Sequence, residues 1–353
     1  MTFLKRTAAA VLGGAILCTT SAFAAETTNM TQVNPSVTQT APNAEAAPQT
    51  DAAPAVVAER DLYFGKIVEI LKEGEKVTGL RMESESKGEY VFHIGKQTLF
   101  FDSGAGTATG LDILKEGDSV YVYHSPAVTM SLPPQSAAEA IVTNIPADAG
   151  VAKLHTVEGV KKNEDGSVLV TTDGGQLEVT VAKDAVYGDF MGRQIMGADD
   201  LRVGTRFFTW YQAVQESAPA KVSVNKLTVA PAKELTDLTV AVGEKTLEGV
   251  TAKMENGTLM IPAGAVAKEF GLKASYDRKA DGEQVTLKGD KAELIMDVGS
   301  DSFQMDKDTV VSYGAAVVIV EGTTWIPAQA LADLVGAELS LDNGTVVFTP
   351  AKK

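Results

Sequence analysis

Gly257 to Asp277 reads GTLMIPAGAVAKEFGLKASYD, and Gly322 to Asp342 reads GTTWIPAQALADLVGAELSLD. Aligned without a gap at a spacing of 65, ten of the 21 positions are identical, among them Pro262/Pro327, Gly271/Gly336 and Asp277/Asp342. A repeat of this kind means that one supersecondary unit is used twice, and the fold has to be read in copies. In each copy an isoleucine closes a strand and the next proline is placed for the first position of a helix. Apolar side chains then recur at helical spacing, Val266 and Phe270 in one copy and Leu331, Leu334 and Val335 in the other. Gly271 and Gly336 stand where a left-handed C-terminal cap is needed. Strands resume at Leu272, Ala274 and Tyr276 and at Ala337, Leu339 and Leu341, and Asp281-Gly282 and Asn343-Gly344 are hairpin dipeptides. Each half is strand, short helix, hairpin. Neither half is large enough to bury both of its faces, so the two are expected to pack as a pseudo-symmetric pair. Trp325, at the slot of Met260, is expected in the core.

The run Asn256-Gly257-Thr258-Leu259-Met260-Ile261-Pro262, answered by Glu321-Gly322-Thr323-Thr324-Trp325-Ile326-Pro327, resembles the copper amine oxidase N-terminal-like domain, or stalk domain, of bacterial surface proteins. The resemblance covers roughly the last third of the chain. The family motif carries an arginine shortly after the proline, and here Gly264 and Gln329 occupy that neighbourhood. What the resemblance implies is an accessory, non-catalytic α+β domain that holds neither copper nor the oxidase cofactor.

A fainter duplication precedes it, between Asp61 and Pro231. The segment that begins at Gly88 matches, at an offset of 87, the one that begins at Gly175. Shared positions include Asp102/Asp189, Gly110/Gly197, Asp112/Asp199, Leu114/Leu201 and Gly117/Gly204. Tyr90, Phe92 and Ile94 alternate with polar residues, as do Leu177, Val179 and Val181, which is the period of half-buried strands. Each copy then carries Leu-x-x-Gly and an aromatic strand, Val120 to Tyr123 and Phe207 to Tyr211. Short strands broken by Gly and Asp turns predict a small OB-like barrel per copy.

The first 24 residues have the form of a secretory leader: Lys5 and Arg6, an apolar run from Ala8 to Leu17, and Ala22-Phe23-Ala24 before the cut. Cys18, the only cysteine, lacks the small residue before it and the Leu three before it that lipid attachment wants, and is expected to leave with the leader. The remaining chain then has no disulfide and no thiolate. Residues 25–59 are rich in Ala, Pro, Thr and Gln with almost no large apolar side chain, and read as a disordered tether. Losing Lys5 and Arg6 takes the net charge from -15 to -17. So acidic a chain is not held by phosphate backbones or anionic membrane surfaces, which excludes nucleic acid as a partner.

Signatures of catalysis are missing. Copper oxidase chemistry needs three imidazoles and an Asn-Tyr-acid sequence. The only histidines are His93, His124 and His155, all outside the stalk-like module, and His93 is expected to face solvent. There is no Gly-x-Ser-x-Gly and no His-Glu-x-x-His. Ser84 to Lys87 matches Ser-x-x-Lys without its Lys-Thr-Gly companion and reads as a turn. Gly104 to Gly110 is one residue too long for a dinucleotide loop and reads as a flexible hairpin. Asp297 to Asp308 lacks the Gly and Glu of a calcium loop and reads as solvated. What survives is an aromatic set, Tyr121 and Tyr123 on one strand and Trp210 and Tyr211 at the equivalent end of the second copy. Exposed, these would stack on sugar rings; by alternation, half of each set is core.

The expectation is a mainly β, α+β chain. Two tandem β-barrel-like repeats (60–148 and 149–232) follow the leader (1–24) and linker (25–59), and a duplicated stalk-like domain (233–353) ends it. Its expected work is non-enzymatic, with no cofactor, metal or membrane span after leader removal. It is a secreted, periplasmic or envelope-associated module that binds or spaces, attaching to cell-wall polysaccharide or a surface protein. Tyr121, Tyr123, Trp210 and Tyr211 are the candidate ligand residues. One alternative is a wall hydrolase using carboxylates among Asp102, Asp112, Asp189 and Asp199. The other is a purely structural spacer.

Overall fold

The computed structural model describes residues 60–147, 150–280, 282–290, 292–305 and 309–351. The expected leader with Cys18, the expected linker, Asp281 and residues 306–308 of the acidic run lie outside the described residues. The chain is mainly β with two short helices among the described residues.

Strands β1 (Asp61–Glu73), β2 (Lys76–Ser84), β3 (Gly88–Asp102), β4 (Thr107–Ala108), β5 (Ser119–His124) and β6 (Gln135–Thr143) form one sheet in the order β2-β1-β5-β6-β3-β4. Because β2 also pairs with β3, five strands close into a barrel. Closure removes the free edges that a sheet this small would otherwise expose. Alternation fills the interior: Tyr63, Ile67, Leu80, Met82, Phe92 and Val122 are buried together. The one parallel pair is β3 with β6, interrupted by a bulge between Ile94 and Leu99.

The pairing recurs 87 residues on. Strands β7 (Lys153–Thr156), β8 (Gly159–Lys162), β9 (Val168–Thr172), β10 (Leu177–Asp189), β11 (Arg206–Thr209) and β12 (Ala220–Ala230) run in the order β8-β9-β10-β12-β11-β7. Again the long third strand pairs in parallel with the last, β10 with β12, and again a bulge intervenes, between Val181 and Val186. Here the first strand is split, and Val157 and Glu158 complete the ring by bonding Thr205 and Thr171. The Leu-x-x-Gly turns are alike. Leu114 and Leu201 are buried, and Gly117 and Gly204 take φ of +95° and +89°, a region open to glycine without strain. Gly117 donates to Ile67 O at 2.8 Å and Gly204 to Val157 O at 2.7 Å.

The C-terminal part comprises β13 (Leu235–Val242), β14 (Lys245–Glu255), β15 (Thr258–Pro262), α1 (Ala263–Glu269), β16 (Lys273–Lys279) and β17 (Gly282–Lys288). It continues through β18 (Glu293–Asp297), β19 (Ser302–Met305), β20 (Thr309–Ser312), β21 (Val318–Val320), β22 (Thr323–Pro327), α2 (Ala328–Val335), β23 (Ala337–Asp342) and β24 (Thr345–Pro350). At its centre β15 and β22 pair antiparallel, Met260 with Pro327, Ile261 with Ile326 and Pro262 with Trp325. Positions related by 65 exchange partners, which is what pairing across a local twofold produces. Val266 and Leu331 from the two helices are fully buried in the shared core.

Local expectations needed three adjustments. The prolines cap the helices from one residue outside rather than opening them, because each is still paired in its strand. Gly336 caps α2 at φ +63°, and Gly271 follows α1 at φ +68°. Trp325 is half-buried rather than core. Met260 lies on a strand flanked by β14 and β22, whereas β22 has only three-residue β21 on its outer side, and Lys253 Nζ lies 4.8 Å over the indole. The acidic run is not simply a solvated loop, since β19 falls within it.

The copies part after their helices. The hairpin β23–β24 pairs with β13 and, through Ser340 and Gly159, with β8. One sheet of 13 strands therefore runs from the C-terminal part into the second strand ring. The hairpin β16–β17 instead joins β18, β19 and β20 in a separate five-stranded sheet.

Candidate functional site

Outer faces of the two strand rings meet in an aromatic seam. Leu99, Phe101, Tyr123 and Val142 from the first ring pack with Leu154, Phe190, Phe208 and Ala230 around the second. Phe101 and Phe208 stack at 3.9 Å between centroids with only 3° between their planes. Such pairs add about 0.5–1.5 kcal/mol to what area burial alone gives. The loop after β3 lies in the same seam: Ala108 N donates to Phe190 O at 2.6 Å and Thr228 Oγ1 to Gly106 O at 2.8 Å. Gly104 to Gly110 does form the expected hairpin, β3 pairing with β4 through Phe101 and Ala108, and it is packed into the seam.

Tyr123 belongs to this seam, Tyr121 and Trp210 pack against it, and Tyr211 packs against the core of the second ring. Tyr123 is 6% exposed and its hydroxyl donates to Ala152 O at 3.0 Å. Trp210 is half-buried, donates Nε1–H to Ser103 Oγ at 3.1 Å, and carries Lys226 Nζ over its face at 4.5 Å. Tyr211 meets a buried chain. His155 donates Nδ1–H to the Asp173 carboxylate at 3.1 Å, which leaves Nε2 to accept from the Tyr211 hydroxyl at 3.1 Å. Tyr121 is half-buried against the seam, with its ring 4.5 Å from the 47%-exposed Phe64. The four do not form one shelf.

Electrostatics in the seam favour fixed structure over chemistry. Burial and the Asp173 charge push the Tyr211 phenol well above its ordinary range, and burial does the same to Tyr123. A phenol so disfavoured as phenolate is a poor nucleophile. Burial pushes the Asp173 carboxyl up, but the hydrogen bond from His155, with the Arg60 charge, outweighs it and holds it below the usual carboxylate range. Glu139 follows the same logic, with Lys233 and Arg60 overcoming burial. Arg60 donates to Glu139 at 3.3 Å, Leu154 O at 3.2 Å and Thr156 Oγ1 at 2.8 Å, tying the two rings together.

The hydrolase carboxylates are engaged elsewhere. Asp102 Oδ1 accepts from Ala105 N at 2.7 Å and Asn144 Nδ2 at 2.8 Å. Its equivalent, Asp189, accepts from Arg193 N at 2.8 Å and Gln194 N at 3.1 Å. Asp199 pairs with Lys162, and Asp112 is exposed. His93 is exposed and bonds Gln135 at 2.8 Å, while His124 and His155 are buried. Among the described residues no three His, Cys, Asp or Glu side chains are grouped to hold a metal ion, and no helix is long and apolar enough to cross a membrane.

A second joint links the second ring to the C-terminal core. Val203, next to the Gly204 turn, is buried in that core. A Cβ on Gly204 would lie 1.8 Å from Met254 Cε, so any side chain there has to displace the end of Met254 as well as adopt a strained φ. At Gly117 the nearest atom to such a Cβ is Lys66 Cε at 3.8 Å. The same turn is thus open in one ring and a plug in the other. Sequence reading missed this, since both glycines look like turn glycines; only the partner differs.

Residues 240–349 match the family model described as copper amine oxidase N-terminal domain. The likeness lies in the C-terminal part of the chain. In copper amine oxidases this N-terminal domain is non-catalytic and stalk-like, which is compatible with binding or spacing. The match includes both helices and the β15–β22 pair, and Gln329, on the first turn of α2, bonds Asp333 at 2.7 Å. Searches of curated proteins and of solved structures return no match.

Proposed function

We propose that this chain is a non-catalytic envelope protein whose described residues act as a rigid spacer. In this reading residues 1–24 direct secretion and 25–59 form the tether. Two OB-like barrels, each with a 1-2-3-5-4-1 strand circuit and a parallel third and fifth strand, continue into the copper amine oxidase N-terminal module. The observation that carries it is the seam. Phe101, Phe208, Tyr123 and Trp210 hold one barrel to the other where a binding module would display them. The turn carboxylates and the raised Tyr211 phenol leave the wall-hydrolase reading without a poised group. Cell-wall polysaccharide or a surface protein remains the class of partner that such a spacer would stand beside.

Rigidity is measurable directly. Cys18 is the only cysteine in the chain, so residues 25–353 take paired spin labels at Glu85→Cys and Lys279→Cys without background thiols. A single narrow distance distribution is expected between these labels on barrel 1 and β16. A broad or multiple distribution would overturn the spacer reading.

A further inference from the structure

A cleft of about 470 Å³ lies between barrel 2 and the C-terminal module. Its apolar wall is Val160, Ala198 and Leu201 from the barrel and Val311 from β20. Its polar rim comes from both sides: Lys162, Asp199 and Arg202 from the barrel, Gln329 and Asp333 from α2. Gln329 and Asp333 are four residues apart on one helix and so share a face.

The rim is positioned by bonds that do not use up its capacity. Asp333 accepts from Gln329 Nε2 at 2.7 Å and from the Tyr313 hydroxyl at 2.9 Å. That leaves Gln329 Oε1 as an acceptor. Arg202 donates Nε–H to Asp199 O at 3.1 Å and Nη1–H to Tyr313 O at 2.7 Å, which leaves its Nη2 hydrogens. Those two carbonyls fix the guanidinium, whose Nη1 passes close over Gly314, 2.0 Å from where a Cβ there would stand. Lys162 and Asp199 pair at the mouth and each retains hydrogen-bonding capacity.

Two cations and two carboxylates balance, so the cleft has no net charge with which to select an ion. Donors and acceptors share the rim of an apolar wall, and the volume lies within the range of small-molecule sites. A ligand that presents hydroxyls as both donor and acceptor, with an apolar ring face, satisfies all of this. We infer that the cleft binds an uncharged oligosaccharide segment of one or two sugar rings. The inference adds a ligand to the spacer proposed above and rests on that reading only for where the sugar would come from, not for the chemistry of the cleft.

The test uses residues 25–353 with chitotriose as probe and cellotriose, which lacks the acetamido groups, as its comparison. Saturation-transfer NMR at about 10 mM sugar detects weak binding. Contact is expected for at least one of the two sugars. Gln329→Ala should weaken it roughly tenfold, the worth of one hydrogen bond. Val160→Trp should abolish it by filling the wall. Circular dichroism melts verify that both variants fold, and Gln329→Ala, on a half-exposed helix face, serves alone if Val160→Trp does not. No transfer with either sugar, or transfer unchanged in a folded variant, overturns the inference. The spin-label distances separate the two proposals. A folded variant that loses sugar but keeps the narrow distance leaves the spacer intact, and the reverse result removes only the spacer.

Discussion

The two strand rings share few residues yet repeat each other's strand pairing down to the position of a bulge. The two halves of the C-terminal module share a motif at nearly half its positions, yet send their hairpins to different sheets. Similarity of sequence and similarity of surroundings are separate quantities in this molecule. In the rings closure dictates the outcome: any chain that alternates in the same order has the same neighbours. In the module each hairpin leaves the shared centre with an open edge, and what meets that edge decides its burial. Strand β23 meets β8, and Leu339 and Leu341 are buried. Its twin β16 has no strand on its outer side among the described residues and is exposed at every position. Lys273, Asp277, Arg278 and Lys279 fit that fate, since charges on an edge strand discourage pairing with other chains.

Equivalent positions give the sharpest way to break this comparison. Phe208 and Tyr121 are related by the offset of 87, but one is fully buried in the seam and the other packs on it half-buried, beside exposed Phe64. Phe208→Ala is expected to destabilise by about 3–5 kcal/mol and Tyr121→Ala by about 1 kcal/mol, read from urea midpoints at constant slope. Equal losses would mean that the seam is not what holds the rings. In the module, Leu341 and Tyr276 are related by 65. Leu341→Ala should destabilise by about 2–4 kcal/mol, and Tyr276→Ala should stay within about 0.5 kcal/mol. Amide exchange gives the same contrast without mutation, with the outer amides of β16 exchanging first.

Asp102 and Asp189 should behave alike. Each caps the turn after its long strand, so Asp→Ala at either is expected to lose about 1 kcal/mol and no wall-degrading activity. Loss of such activity in one variant at unchanged stability would revive the hydrolase reading. The smallest effect is that of His124. Burial holds its imidazole pKa below the ordinary value, against the opposing hydrogen bond to Ser125 O. The unfolded chain then takes up a proton near pH 6.5 that the folded chain refuses. Stability from this group is fully present above that pH and declines as pH falls through the folded value. His124→Gln should flatten that limb in melts between pH 7 and pH 5.

Much of the fold was legible because it depends on local periodicity. Alternation from Tyr90 to Ile94 and from Leu177 to Val181 named strands, and the Pro and Gly of the duplicated motif bracketed two helices within a residue or two. Asn343 and Gly344, both at positive φ, form the tight turn their identities predicted. What was not legible was use. Nothing in the chemistry of Tyr123 or Trp210 distinguishes a residue that stacks on sugar from one that seals a seam, because both tasks want a large ring with one polar atom. Burial of Val203, the crowding at Gly204 and the exposure of β16 depend on distant partners, which no local pattern records. The cleft beside α2 is hidden for the same reason, since its rim comes from segments more than 100 residues apart in the chain.

The central claim is that the strand rings and the module form one body through the seam and the Gly204 joint. Differential scanning calorimetry of residues 25–353 tests it most directly. A single transition is predicted, with calorimetric and van't Hoff enthalpies in agreement, that Phe208→Ala splits or broadens. Two or more separate transitions in the unaltered chain, with midpoints indifferent to Phe208→Ala, would contradict it.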